Sequence, residues 1–211
     1  MRRLDLPDGA ARDGAGLLHA PSAERNLAPI LAALLPALPC GGVALELASG
    51  TGQHAAAVAA ARPALSIQPT EPDPERRRTI DRRCAGLPNV AEARALDACA
   101  PGWAEGLRVD ALWVVNLLHL VSEGEMAVLL DEGARAVAPG GLFAIYGPFL
   151  RGGRATSAGD RTFDATLRAQ DPEIGFKEVE VVEGVLSVLG FAVERREMPA
   201  NNLLLLARRG G

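Results

Sequence analysis

Ten residues, Leu45-Glu-Leu-Ala-Ser-Gly-Thr-Gly-Gln-His54, constrain this chain more than any others. An apolar, strand-like run carries one acid, Glu46, and breaks at Gly50-Thr51-Gly52 before an alanine-rich helical run, Ala55–Ala61. Glycines at a strand-to-helix junction let the backbone turn tightly and let a ligand approach where a Cβ would otherwise stand. The helix behind them offers free N–H groups and the positive end of its dipole. In a doubly wound sheet that junction lies at the C-terminal edge of the strands, where ligands bind. The stretch therefore implies a nucleotide or nucleoside site in an α/β domain.

The rest of the chain supplies the alternation such a domain needs. Apolar residues at helical spacing, Leu27, Ile30, Leu31, Leu34 and Leu35, predict a helix starting at Ser22, with Pro36, Pro39 and Gly41-Gly42 ending it. Strands are expected at Val43–Ala48, Leu65–Gln68 and Val90–Leu96, with helices at Gln53–Arg62 and Pro74–Cys84 between and after the first two. The continuous apolar run Asp110–Val115 reads as a strand buried on both faces. A helix over Glu123–Val137 is closed by Pro139-Gly140-Gly141, and a strand over Leu142–Tyr146 follows. The chain then ends with a helix near Val179–Leu189 and two runs, Phe191–Met198 and Asn202–Arg208, that read as a hairpin. Repeated alternation argues for helices packed on a mostly parallel sheet. Residues 1–20 read as a flexible N-terminal arm and residues 21–211 as a single domain. The segment at about 149–175 is too long for an ordinary connection and reads as an inserted lid.

Composition narrows the function classes. A hydrophobic content of 48% over 211 residues is enough for one substantial core. The net charge of −4 gives no electrostatic case for nucleic acid or an anionic membrane. Cys40, Cys84 and Cys99 are scattered and odd in number, so neither a disulfide framework nor a metal site is expected, and they suit a reducing, cytoplasmic compartment. The apolar stretches Leu27–Leu38 and Ala111–Val121 fall short of the roughly 18–20 residues a membrane span needs.

Two templates compete for the glycine turn. Gly50-Thr-Gly52-Gln-His-Ala55 fits the dinucleotide pattern GxGxxG/A, with Glu71 placed to hold a ribose hydroxyl. That reading predicts an NAD(P)-dependent oxidoreductase. Glu46-Leu-Ala48-Ser49-Gly50-Thr51-Gly52 also resembles the class I methyltransferase turn, with Ala48 in place of its first glycine. The second template is favoured by three features: an acid just past the second strand, Asp97 at the end of the third in "ALDA", and the closing hairpin. S-adenosylmethionine also lacks a pyrophosphate, so no basic clamp is needed.

A more specific resemblance rests on six blocks. "APSAERNLAPIL" (20–31), "LELASGTGQHAA" (45–56), "VVNLLHL" (114–120), "IYGPF" (145–149), "TFDATLRAQDPEIGFK" (162–177) and "MPANNLLL" (198–205) resemble the methyltransferase-like protein 26 family, from about residue 20 to the C-terminus. The resemblance implies an α/β, Rossmann-like class I methyltransferase fold. That fold has a seven-stranded, mostly parallel sheet with a C-terminal antiparallel hairpin strand and helices on both faces. It implies S-adenosylmethionine as cofactor and supplies no established substrate. "QPTE" stands where relatives carry Gln-Pro-Ser-Asp, and "VSEGE" follows "NLLHL" where relatives often carry Pro-Trp.

Candidate roles follow. Cofactor contacts are expected from Glu46, Ala48, Ser49, Gly50, Thr51, Gly52, Glu71, Asp97 and Asn116, with Asp73 competing with Glu71 for the ribose. Asn116, His119 and Tyr146 are the catalytic candidates; His119 is the candidate general base, because imidazole titrates near neutrality. Arg25, Asn26, His54, Asn201 and Asn202 are candidates for holding a small-molecule methyl acceptor, although Asn201-Asn202 could simply make the hairpin turn. Asp164 and Arg168, four apart, suit an ion pair on one helix face, and the arginines at 76–78 and 82–83 suit a solvated helix. A third possibility is a non-catalytic protein that binds S-adenosylmethionine or its demethylated product.

Overall fold

A computed structural model describes residues 9–14 and 16–211. The expected N-terminal arm therefore lies partly outside the described residues, at 1–8 and 15. The chain divides into two compact units between Asp97 and Ala98.

In the first unit, Ala11–Arg12 pairs antiparallel with Leu18–His19. Helix α1 (Pro21–Leu34) follows, then strand β1 (Gly42–Leu47), α2 (Gln53–Ala61), β2 (Leu65–Pro69) and α3 (Pro74–Cys84). Helix α1 begins at Pro21 and not at Ser22; its N-cap is Ala20, without a side-chain cap. Proline at the first helical position has no N–H to leave unsatisfied, and its fixed φ suits the helix. Strands β1 and β2 run parallel, Glu46 opposite Pro69. Ile30, Leu34, Leu45, Leu47, Val58, Leu65, Ile67 and Ile80 form the core between these layers.

The expected strand at Val90–Leu96 does not form as a continuous element. The segment touches β2 only at the isolated parallel bridges Ile67↔Val90 and Thr70↔Arg94. Between them, side chains take the backbone groups a ladder would use. Gln68 Nε2 donates to the Glu92 carbonyl at 2.7 Å, and Asp81 Oδ1 accepts from the Ala93 N–H at 2.7 Å. The described residues thus hold six long strands, two in this unit and four in the next, where seven were expected.

The second unit runs β3 (Val109–Val115), a short turn at Leu118–Leu120, α4 (Glu123–Ala136), β4 (Val137–Gly147), α5 (Ala158–Gln170), α6 (Val179–Val188), β5 (Phe191–Glu197) and β6 (Leu203–Arg209). Strands β3 and β4 are parallel, and β6 lies antiparallel to both β4 and β5, so the closing hairpin forms as expected. Ser122 and Glu125 make a reciprocal cap at the start of α4, and Ser157 and Asp160 do the same for α5. Strand β4 starts at Val137, five residues before the expected position. Pro139-Gly140-Gly141 does not separate helix from strand; it bulges out, and the register with β3 shifts between Val109 and Ala111. A Cβ at Gly141 would lie 2.7 Å from Val137 Cγ1 and 2.8 Å from the Ala138 carbonyl oxygen, so only glycine fits the bulge. The long segment after β4 is structured: Phe149–Leu150 pairs parallel with Lys177–Glu178, with α5 between them. Among the described residues, no helix is long and apolar enough to cross a membrane.

Candidate functional site

The turn after β1 is built by alternating left-handed residues. Ala48, Gly50 and Gly52 have φ of +51°, +58° and +76°. Glycine adopts that region freely, whereas Ala48 holds it against its own Cβ. Ser49 donates its N–H to the Thr70 carbonyl at 2.8 Å, and the Glu46 carbonyl accepts from the Thr70 N–H at 2.9 Å. These bonds tie the start of the turn to Thr70, the residue just past β2. Gly52 packs directly on α3: a Cβ there would lie 3.1 Å from Ile80 Cα. Gly50 faces open space, with its nearest neighbour 3.9 Å from such a Cβ.

Glu71 fastens this turn. It is 2% exposed, and its two carboxylate oxygens accept the Gly50 N–H at 2.9 Å and the Asp73 N–H at 3.2 Å. Burial raises its pKa above the ordinary glutamate value, against the lowering influence of those bonds and of Arg76. Asp73, the competing acid, caps α3 by accepting from the N–H groups of Glu75 and Arg76 at 2.8 and 2.9 Å. Glu46 is also buried, at the end of β1. Asp97 is exposed and ends no strand, because the 90–96 segment forms none.

Helix α2 starts at Gly52 without a side-chain cap. Beside it, Asn26 Oδ1 meets His54 Nε2 at 2.9 Å, and burial lowers the His54 pKa to about 4, so the ring is neutral. Arg25, one residue before Asn26, is exposed. Gln53 Oε1 accepts from the Thr51 hydroxyl at 2.6 Å and from the Ala20 N–H at 2.8 Å. Arg83 reaches the same place: its Nε donates to the Thr51 carbonyl and its Nη2 to the Leu18 carbonyl, both at 2.8 Å. The arginine helix is therefore not merely solvated, since Arg77 also donates to the carbonyls of Glu71 and Pro72.

In the second unit Asn116 follows β3 with a φ of +56°, and its N–H donates to the Tyr146 carbonyl at 2.9 Å. Tyr146 is 3% exposed, and burial pushes its hydroxyl up to about 12. His119 is enclosed by Phe163 of α5 and by Phe176, which meet it edge to face at centroid distances of 5.7 and 6.1 Å. Burial, assisted by the Lys177 charge, lowers its pKa to about 3, so it stands here as a neutral imidazole. Asn201 donates through Nδ2 to Asp160 Oδ2 at 3.0 Å, bracing the α5 cap. Asn202 Nδ2 closes its own turn on the Pro199 carbonyl at 3.1 Å. Asn202 thus closes the turn, whereas the Asn201 side chain reaches across to α5.

A family model described as "Protein of unknown function (DUF938)" matches residues 18–209. The chain belongs to the DUF938 family. Solved structures share the fold of this DUF938 protein. It aligns with an O-methyltransferase family protein from Burkholderia thailandensis at a TM-score of 0.76 and 19% identity, over 90% of this chain and 59% of that one. It aligns with human N-acetylserotonin methyltransferase in complex with SAM at a TM-score of 0.75 and 18% identity, over 90% and 53% of the two chains. An O-methyltransferase family 2 protein from Planctomyces limnophilus, in complex with apigenin, gives a TM-score of 0.75 at 20% identity, over 89% and 59%. The fold is therefore α/β and Rossmann-like, as in class I methyltransferases. The DUF938 chain spans between about half and three-fifths of the length of these structures.

Around His119 the DUF938 protein holds a cluster that sequence reasoning missed. The expected Asp164–Arg168 ion pair forms at 3.0 Å, but it also grips the backbone of Phe176. Asp164 Oδ1 accepts the Phe176 N–H at 2.6 Å, and Arg168 Nη2 donates to the Phe176 carbonyl at 3.2 Å. Gly175 donates its N–H to the His119 carbonyl at 3.0 Å. Lys177 is buried, with Nζ donating to the carbonyls of Val121 and Gly175 at 2.7 and 2.8 Å. The available signal was Lys177 itself, the chain's only lysine, placed directly after Ile174-Gly175-Phe176.

Proposed function

We propose that this DUF938 protein is an S-adenosylmethionine-dependent methyltransferase acting on a small-molecule acceptor, and that it falls in the methyltransferase-like protein 26 branch. The observation that carries the reading is the glycine turn held by Glu71. Gly50 leaves room where a Cβ would stand, and α2 begins without a side-chain cap, so backbone N–H groups face a ligand's carboxylate. Two buried acids, Glu46 and Glu71, beside the turn oppose a pyrophosphate and suit a cation carrying sulfonium and ammonium charges. Those residues fit S-adenosylmethionine. When bound, it supplies an electrophilic methyl group on positively charged sulfur.

The chain's own residues take these roles in the proposal. Glu46, Ala48, Ser49, Gly50, Thr51 and Gly52 cradle the amino-acid end, Glu71 holds the ribose, and Asp97 contributes a further contact. Asn116, His119 and Tyr146 serve the acceptor and exclude water from it, with Arg25, Asn26 and His54 assisting on their own unit. The residues from 21 onward act as one domain, and the 149–175 segment acts as its lid. Three free cysteines are consistent with the cytoplasm as its place of work.

One observation favours a second reading, a nucleoside-binding protein without turnover: His119 is buried and neutral, which makes it a weak base at neutral pH. Calorimetry with S-adenosylmethionine, S-adenosylhomocysteine and NAD, on wild type and Glu71→Ala, tests the main reading. Micromolar-range binding of both sulfur nucleosides, lost in the variant, is expected. Binding of NAD in their place would overturn it in favour of an oxidoreductase, and absence of binding by a folded protein would overturn it outright.

A further inference from the structure

Gly147, the last residue of β4, is buried, yet neither its backbone nor its packing calls for glycine. It is not among the residues with left-handed φ. A Cβ built on it would meet no atom closer than 3.8 Å, which is ordinary contact. Glycine in a strand weakens it relative to alanine, and it often marks a place where a ligand comes close. Two of the three nearest atoms to the missing side chain are polar, Asn116 Oδ1 at 3.8 Å and His119 Nδ1 at 3.9 Å; the third is Asn116 Cα at 3.9 Å.

That His119 atom is a second, independent sign. Nδ1 is buried and has no hydrogen-bond partner among the described residues, although a buried nitrogen left unsatisfied destabilises the fold. Asn116 is only half-buried, so it stands at the open side of the recess, with His119 and Gly147 at its floor. We propose that Gly147 is the specificity-determining position of the acceptor site, and that the recess above it receives a hydroxyl group of the acceptor. This rests on the methyltransferase reading. A hydroxyl has one hydrogen to donate and lone pairs to accept, which suits a neutral imidazole nitrogen beside an amide oxygen. The buried Lys177 charge acts on this histidine and disfavours a cationic ammonium in the same place.

Nitrogen-15 histidine labelling reads the recess directly, because the chain has three histidines, His19, His54 and His119. Phenol and benzyl alcohol should displace the His119 Nδ1 resonance saturably, whereas toluene and benzylamine, an ammonium at neutral pH, should not. Gly147→Ala fills the recess without a clash and should abolish the displacement. If that variant fails to fold, Asn116→Gly, which suits the φ of +56° and removes Oδ1, should abolish it as well. An unchanged displacement in the folded variant, an equal response to toluene or benzylamine, or no response to either hydroxyl probe would overturn the assignment. Calorimetry with S-adenosylhomocysteine on the same samples separates the two claims. If the wild type binds no S-adenosylhomocysteine, the methyltransferase reading fails. If binding persists while the hydroxyl response fails, only the recess assignment falls.

Discussion

Replacing Gly52 and Gly50 in turn by alanine separates what the glycine turn needs for folding from what it keeps open. Both residues are left-handed, with φ of +76° and +58°, so a Cβ costs about 1–2 kcal/mol at either position. The stiffer unfolded chain returns about 0.4–1 kcal/mol of that. At Gly50 nothing more is lost, because the new methyl meets no atom closer than 3.9 Å. At Gly52 it would sit 3.1 Å from both Cα and Cγ1 of Ile80. The Cα belongs to the α3 backbone and cannot rotate aside, so overpacking adds about 1–3 kcal/mol. The expected losses are about 0–1.6 kcal/mol for Gly50→Ala and about 1–4.6 kcal/mol for Gly52→Ala. Urea unfolding followed by circular dichroism at unchanged m-value measures both. The reasoning is refuted if Gly52→Ala is no more destabilising than Gly50→Ala. Gly50→Ala should in addition bind S-adenosylhomocysteine more weakly than wild type while remaining folded.

Two further outcomes follow from the buried polar groups. His54 and His119 are depressed from 6.5 to about 4 and about 3, so below pH 6.5 the unfolded chain takes protons that the folded chain refuses. Their contribution to stability is complete above pH 6.5 and is lost as the pH falls toward those values. The loss is about 1.4 kcal/mol per pH unit per histidine inside that window. Urea midpoints between pH 7 and 4.5 should show this slope, flattened in His54→Gln and in His119→Gln; equal slopes in all three proteins would contradict the burial. Arg83→Ala removes the donor shared by the Thr51 and Leu18 carbonyls and should speed proteolytic cleavage near residues 16–20. A cleavage rate equal to wild type would show that Arg83 does not anchor that segment.

Much of the first unit's logic was legible because it is local. The strand into Gly50-Thr51-Gly52 and the helix beyond it follow from apolar patterning and from glycine's access to positive φ. The Asp164–Arg168 pair follows from helical spacing. The 90–96 segment was misread because alternation there looked sufficient for a strand, while Gln68 and Asp81 capture the backbone of Glu92 and Ala93. The run of arginines looked like a solvated face for the same reason: nothing local says that Arg83 will find the carbonyls of Leu18 and Thr51.

Periodicity and backbone sterics act over a few residues, and they were enough to place most of the elements, the closing hairpin and the glycine turn. That Glu71 would hold Gly50, 21 residues away, depends on how the chain folds back. The tertiary structure also decided that Phe163 and Phe176 would enclose His119, and that Gly147 would leave Asn116 and His119 a recess to share. Those partners are chosen by how the chain returns on itself, and burial then sets the protonation state of each group they surround.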